Sequence, residues 1–308
     1  MKKYRTERRN GVRTVSAFGV FGSSEALREE ECRVVEEAVL TIDVEGVGTY
    51  LLMWTPTDAV DIAMGYTRAE GVLAESANPE ALALALGFCF TEGVIGAIDD
   101  IRAIALCPDA PGVVRVQLVD PARGKPRRRH AVVKSSCGVC GDRESIEDGI
   151  PELSPVPDTL RWKAEQFERL MATMRESQAI FLHTGGTHAA AVFSPEGRIL
   201  ALAEDLGRHN ALDKVIGICM LRAQSLDACG VLLSSRLSCE MVVKAARAKF
   251  ELVAAVSAPT SLAIEVANRC GITLCGFVRE KRATVYTHPH RLGGIEPPLV
   301  PVEIADRL

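Results

Sequence analysis

Aromatic residues are scarce, at 5% of 308 residues, and only two of them are tryptophan. So small a ring content argues against an aromatic-rich β-sandwich. It suits tightly packed α/β layers built from glycine, alanine and valine. Also missing is any run of about 18 uncharged apolar residues, the minimum for a membrane-crossing helix. The start, Met1-Lys2-Lys3-Tyr4-Arg5, lacks the apolar stretch of a secretory signal. The expectation is a cytoplasmic protein with no membrane partner. Positive charge is not in excess: 36 Lys and Arg against 40 Asp and Glu leave a formal charge of −4. That argues against broad nucleic-acid binding, which needs a positive field. The ten cysteines are scattered, mostly in apolar surroundings, and read as reduced thiols instead of a disulfide framework.

What is present is ample core material, with 47% hydrophobic residues, enough for one large or two medium domains. The polar stretch 1–30 reads as a flexible lead-in, 31–150 as a smaller α+β domain, 151–158 as a linker, 159–295 as an α/β domain and 296–308 as a tail. Glu45-Gly46 interrupts the β-branched run from Cys32 to Trp54, predicting a hairpin. Thr55-Pro56-Thr57-Asp58 then predicts a helix start. Asp58–Leu73 (DAVDIAMGYTRAEGVL) and Glu80–Ile95 (EALALALGFCFTEGVI) repeat a small-residue pattern that ends in Glu-Gly; this is assigned to structure. Ile101–Leu106 and Val113–Val119 read as strands. Pro151, Pro155 and Pro157 make the linker stiff.

The second half alternates. A helix is expected over Leu160–Ser177 from the spacing of Phe167, Leu170, Met171 and Met174. Strands are expected at Ala179–Leu182, Ala189–Phe193 and Ile199–Ala203. Helices from about Asn210, Ser238 and Ser261 then alternate with strands Val231–Ser234, Leu252–Val256 and Ile272–Phe277. That rhythm calls for a mostly parallel, helix-covered sheet.

Chemistry concentrates in a few places. Cys137-Gly138-Val139-Cys140-Gly141 sets two thiols on a glycine-bared backbone. Lys134, Arg143 and the basic run Arg123–His130 would favour the thiolate, the reactive form. Such a thiolate can accept a sulfane sulfur, and a second thiol can resolve or receive it. Half of a zinc site and a redox pair stay open as alternatives. No second Cys-x-x-Cys exists, however, and the pair does not open a helix after a first strand. His183-Thr184-Gly185-Gly186-Thr187-His188 is a bare loop that can hold a phosphate or thiol. Asp205-Leu206-Gly207-Arg208-His209-Asn210 and Ser234-Ser235-Arg236-Leu237-Ser238 each follow a strand and open a helix. Such turns at the sheet's C-terminal edge are where open α/β sheets bind ligands. Arg208 and Arg236 read as phosphate clamps. Phe277-Val278-Arg279-Glu280-Lys281-Arg282 ends the last strand with three cations.

In order, TPTD…EGV, SSCGVCG, TGGTHAA, ED-x-GRHNALDK, SSRLSCEMV-x-KAA, SAPTSLAIEVA and TVYTHPHRL resemble the FdhD family, the formate dehydrogenase accessory sulfur carriers. The resemblance covers roughly Val35 to Leu292. It implies a cytidine deaminase-like second half with a smaller N-terminal domain, and a homodimer. It implies a sulfurtransferase that takes sulfur from a cysteine desulfurase. The sulfur passes to the molybdenum bis(molybdopterin guanine dinucleotide) cofactor, bound as substrate, before that cofactor enters formate dehydrogenase. No tightly held metal of its own is expected. The persulfide maps onto Cys137, with Cys140 as partner, and the cofactor-binding segment onto Phe277–Arg282. Two features depart from the pattern: the repeat over 58–95, and Glu280, which would face an anion poorly. Deaminase chemistry is not implied, because His188 is followed by Ala189, not by the x-Glu that zinc deaminases need. A cofactor-binding chaperone without sulfur chemistry and a zinc-dependent hydrolase are the other readings.

Overall fold

A computed structural model describes residues 11–20, 27–57, 79–107, 109–124, 153–279 and 282–293. Strands β1 (Val12–Val20) and β2 (Leu27–Val35) pair antiparallel as a two-stranded arm. Most of this arm falls inside the stretch expected to be a flexible lead-in. Cross-strand pairing organises it, and its root is packed: a Cβ on Gly11 would meet Ile180 and Thr55 at 2.8 and 2.9 Å.

The predicted hairpin forms from β3 (Ala38–Val44) and β4 (Gly48–Trp54), with Gly46 at φ +74° in its turn. Helix α1 (Pro79–Thr91) and strands β5 (Ile101–Cys107) and β6 (Ala110–Leu118) follow. These strands form a sheet in the order β4-β3-β6-β5, with β3 and β6 parallel. Leu40, Ile42, Val44, Tyr50, Leu52 and Trp54 alternate onto its buried face, the period-2 pattern of a half-covered sheet. The second copy of the repeat is thus a helix that closes on Glu92-Gly93, as expected. The first copy, and the helix start at Asp58, lie outside the described residues.

The second half runs β7 (Trp162–Lys163), α2 (Gln166–Glu176), α3 (Ala179–Thr184), β8 (His188–Phe193), β9 (Ile199–Asp205) and α4 (Arg208–Leu221). It continues with β10 (Gly230–Leu233), α5 (Cys239–Arg247), β11 (Leu252–Ala255), α6 (Ser261–Cys270), β12 (Thr273–Arg279), β13 (Arg282–Thr287) and β14 (Leu292–Gly293). A six-stranded sheet has the order β13-β12-β11-β10-β8-β9.

Two expectations are corrected here. The sheet is mixed, not mostly parallel: β10–β11 and β11–β12 are parallel, while β8–β9, β8–β10 and β12–β13 are antiparallel. Short connections such as Ser194–Gly197 permit only antiparallel neighbours. The strand expected at Ala179–Leu182 is helix α3. Its first N–H groups, at Ile180 and Phe181, donate to the Glu204 carboxylate at 2.9 and 2.8 Å. A partner distant in sequence therefore caps this helix, and local propensity carried no trace of it.

Helix α2 covers one face of the six-stranded sheet through Phe167, Leu170, Met171 and Met174. Helices α4, α5 and α6 cover the other. Against them lies α1, apolar all round and buried, with the four-stranded sheet beyond it in the same core. Helices α1 and α4 touch backbone to backbone. A Cβ on Gly87 would lie 1.8 Å from the Asp213 carbonyl oxygen, and one on Gly217 equally close to that of Ala83.

Two buried lysines fasten this junction. Lys214 Nζ lies 2.8 Å from Asp205 and 3.2 Å from Glu80, and donates to the Thr55 and Glu204 carbonyls at 3.0 Å. Lys244 Nζ lies 2.8 Å from Asp213 and 3.1 Å from Glu92, and donates to Thr91 Oγ1 at 2.8 Å. Each ammonium faces two carboxylates, one from α1 or the turn just after it and one from β9 or α4. Burial pushes Glu80 up to about 7, despite the opposing pull of Lys214.

Removing one partner strands a buried charge, so Lys214→Met is expected to cost about 3–5 kcal/mol, read from the denaturant midpoint. Because Glu80 is raised in the fold, the native state holds its proton where the unfolded chain has released it. Its contribution therefore falls as pH rises from about 4.5 to about 7. Glu80→Gln should abolish that part of the pH dependence in denaturant titrations.

Candidate functional site

Because β8 is antiparallel to both β9 and β10, its N-terminal residue His188 sits at the edge where β9, β10, β11 and β12 end. His188 is directly opposite Asp205 in the β8–β9 register. Its Nδ1 lies 3.5 Å from Ser234 Oγ, which accepts from the Ala189 N–H at 2.8 Å. Gly207 precedes α4, and its N–H donates to Asp205 Oδ1 at 2.9 Å. Arg208 and His209 open that helix. His209 Nε2 lies 2.9 Å from Glu240 Oε2 on the first turn of α5.

Burial lowers the pKa of His188, and the cationic neighbours Arg208 and His209 lower it further, against Asp205. His188 is therefore a neutral imidazole at pH 7. Arg208 Nε and Ser238 Oγ are buried atoms with no hydrogen-bond partner among the described residues. Such groups are rare unless something else satisfies them.

The loop before β8 is shaped by glycine at two places. Gly185 ends α3 at φ +65°, and a Cβ on Gly186 would meet Val35 of β2 at 2.9 Å. Arg33 on the same strand lies 2.9 Å from His183 Nδ1. The arm thus braces the TGGTH loop.

Of the segment Phe277–Arg282, residues 280 and 281 lie outside the described residues. Phe277 is exposed at φ +51°. Val278 points inward and is fully buried, so only its main chain faces the edge. Arg279 turns back to donate to the carbonyls of Val256 and Val278. Arg282 is exposed and stands opposite Arg279 in the β12–β13 register. Arg236 is exposed, on the loop after β10. The fold therefore brings Gly185, Gly186, His188, Gly207, Arg208, Arg236, Phe277, Arg279 and Arg282 to one sheet edge.

Sequence reasoning read the whole run Asp205–Lys214 as a ligand turn. The structure divides it. Asp205, Asn210, Asp213 and Lys214 are buried and face inward, and Gly207 gives its N–H to Asp205, leaving Arg208 and His209 for the edge. In the sequence Ser234, Ser238 and Glu240 stand out only as parts of a motif. Their roles depend on contacts between elements.

Cys137 and Cys140 lie outside the described residues. Gly124 and Leu153, which flank their segment, both line one open cleft of about 960 Å³ with Asp99, Asp100, Asp120, Arg247 and Lys249. Four other cysteines are poor nucleophiles: burial pushes Cys89, Cys219 and Cys275 up to about 12 and Cys229 up to about 11.

A model of the FdhD/NarQ family matches residues 76–293. Curated relatives named "Sulfur carrier protein FdhD" include one from Bordetella petrii, 37% identical over 263 residues, covering 84% of this chain and 86% of the relative. One from Bordetella bronchiseptica is 35% identical over 262 residues, covering 84% and 87%. The chain belongs to the FdhD/NarQ family. A Desulfotalea psychrophila crystal structure, provisionally named a formate dehydrogenase accessory protein, shares the FdhD fold. It has a TM-score of 0.66 at 22% identity and covers 91% of this chain and 99% of its own. The FdhD/NarQ match begins at 76, so β1 to β4 precede it. Among the described residues no helix is long and apolar enough to cross a membrane.

Removing the Arg208 guanidinium should let the His188 pKa rise, with the C2–H proton of His188 in NMR titration as the readout. Arg208→Ala should move that midpoint up, whereas Arg169→Ala on the exposed face of α2 should leave it in place.

Proposed function

We propose that this chain is a sulfurtransferase acting as a sulfur carrier for formate dehydrogenase. In this reading Cys137 takes sulfur from a cysteine desulfurase as a persulfide. The sulfur goes to the molybdenum bis(molybdopterin guanine dinucleotide) cofactor, bound as substrate, before that cofactor enters the dehydrogenase. The observation that carries the reading is the 37% identity, over 84% of the chain, to a relative named a sulfur carrier, joined to the motif SSCGVCG.

Loading is an exchange. The Cys137 thiolate attacks the outer sulfur of the donor persulfide; one S–S bond forms as the donor's breaks, and the donor leaves as a thiolate. Release can then follow two routes. Transfer can be direct from Cys137, or Cys140 can attack the inner sulfur, forming a Cys137–Cys140 disulfide and expelling hydrosulfide. The second route requires a dithiol reductant to reset the pair.

The sheet edge supplies the substrate side of this proposal. In this reading Arg208 and Arg236 hold phosphates, and the start of α4 adds a positive helix end. His188, kept neutral, can donate or accept one hydrogen bond without adding charge. The deaminase-like arrangement expected for 159–295 belongs to this reading as a scaffold alone, since Ala189 and Ala190 follow His188 where a catalytic Glu would be needed.

In cells lacking the endogenous carrier, Cys137→Ala is expected to abolish formate dehydrogenase activity, with dehydrogenase protein still made. Arg208→Ala should lower it by about 10- to 100-fold, the worth of a charged hydrogen bond. A chaperone without sulfur chemistry would instead tolerate loss of both cysteines; full activity in Cys137→Ala contradicts the proposal.

A further inference from the structure

The end of β4 reaches across to the turn between β9 and α4. Thr55 is fully buried there and spends each of its three polar groups on the second half of the chain. Its N–H donates to Asp205 Oδ2, its hydroxyl accepts the Leu206 N–H, and its carbonyl accepts from Lys214 Nζ, each at 3.0 Å. Two residues earlier, the Met53 carbonyl accepts from Asn210 Nδ2 at 2.7 Å. The sequence reads Thr55 as part of a helix start; its bonds instead clasp a turn about 150 residues away.

That turn carries Arg208. Asp205 Oδ1 takes the Gly207 N–H at 2.9 Å, and Gly207 caps α4 without a side-chain acceptor of its own. The Leu206 N–H lies between Asp205 and Gly207 in the chain, and Thr55 Oγ1 is its acceptor. Further out, Arg208 Nε is buried with no partner among the described residues. With no acceptor at Nε to aim it, the guanidinium takes its direction from the backbone behind it. An N–H that loses its acceptor costs free energy unless the chain shifts to find another. Here such a shift falls two residues before Arg208.

We infer that Thr55 is a positioning residue for a phosphate site at the sheet edge: its hydroxyl fixes the Leu206–Gly207 backbone and thereby the line along which Arg208 meets a bound phosphate. This role rests on the phosphate-holding reading of Arg208 and not on sulfur transfer. A residue of the first half is thus a working part of a site in the second. Thr55→Val keeps the shape of the side chain and removes the acceptor, whereas Thr55→Ser keeps the acceptor. Thr287 supplies the comparison. It is buried too, and its Oγ1 accepts the Leu274 N–H at the same 3.0 Å. Leu274 stands at the start of β12, the end of that strand away from the site.

Two readouts test it. In titration calorimetry at neutral pH, inorganic pyrophosphate should bind Thr55→Val about 10-fold more weakly than wild type, the worth of one hydrogen bond, with Thr55→Ser and Thr287→Val within about twofold. Without ligand, the C2–H midpoint of His188 reports where Arg208 stands, because burial, Arg208 and His209 lower it against Asp205. Thr55→Val should move that midpoint up, in the direction expected for Arg208→Ala, while Thr55→Ser and Thr287→Val leave it in place. Should the valine variant fail to fold, Thr55→Cys, whose sulfur is a weak acceptor, should give an intermediate midpoint. An unmoved midpoint in the valine or cysteine variant, wild-type pyrophosphate affinity in Thr55→Val, or an equal change in Thr287→Val would overturn the role of Thr55 alone. If wild type itself takes no pyrophosphate, the phosphate-holding reading of Arg208 falls, and the role of Thr55 with it.

Discussion

The architecture depends on two ammonium groups buried at a helix crossing. Lys214 and Lys244 each sit between two carboxylates, and in each case one carboxylate comes from α1 or its closing turn and the other from β9 or α4. The four-stranded sheet reaches the six-stranded sheet through α1. These contacts therefore fix the angle and depth at which the halves meet. Apolar burial along α1 supplies most of the attraction, because Ala81 to Leu86 are almost wholly removed from water. It supplies little direction, since a helix apolar on every side can rotate or slide. The ion pairs set the register, and the contacts of Gly87 and Gly217 allow the approach that brings the charges within reach.

The same cluster ends at the candidate site. Asp205 accepts from the Thr55 and Gly207 N–H groups and from Asn210, and pairs with Lys214. The residue directly across from it is His188, and the next turn presents Arg208. Inward charges hold the β9–α4 turn in place, so that Arg208, on the next turn, is presented from a fixed backbone. One turn thus does two jobs, and neighbouring residues divide them by the direction each faces.

Much of this was legible in the sequence because it is local. The hairpin over β3 and β4, the helix–strand alternation after Leu160 and the turns at Gly207 and Ser238 follow from turn residues and hydrophobic spacing. The parts that were not legible depend on distant partners. Ala179–Thr184 has the composition of a short strand and becomes helix because Glu204 satisfies its leading N–H groups. Residues 12–20 look like a polar leader and become a strand because β2 pairs with them. Sheet direction was misread because β8, inside the sheet, and β13, at its margin, run against the other four strands. At the site, the type of each residue was visible but not its orientation: Val278 and Lys214 turn inward, whereas Arg208 is only half-buried. The cysteine pair remains a reading of sequence and family alone.

The chemistry claimed for the chain comes down to one sulfur atom on one side chain. Incubating the protein with a cysteine desulfurase and free cysteine, then digesting without reductant, should yield a Cys137 peptide heavier by about 32 Da per sulfur gained. Dithiothreitol should remove the added mass. An unmodified Cys137 peptide, with the added sulfur found on another cysteine or on none, would contradict the account.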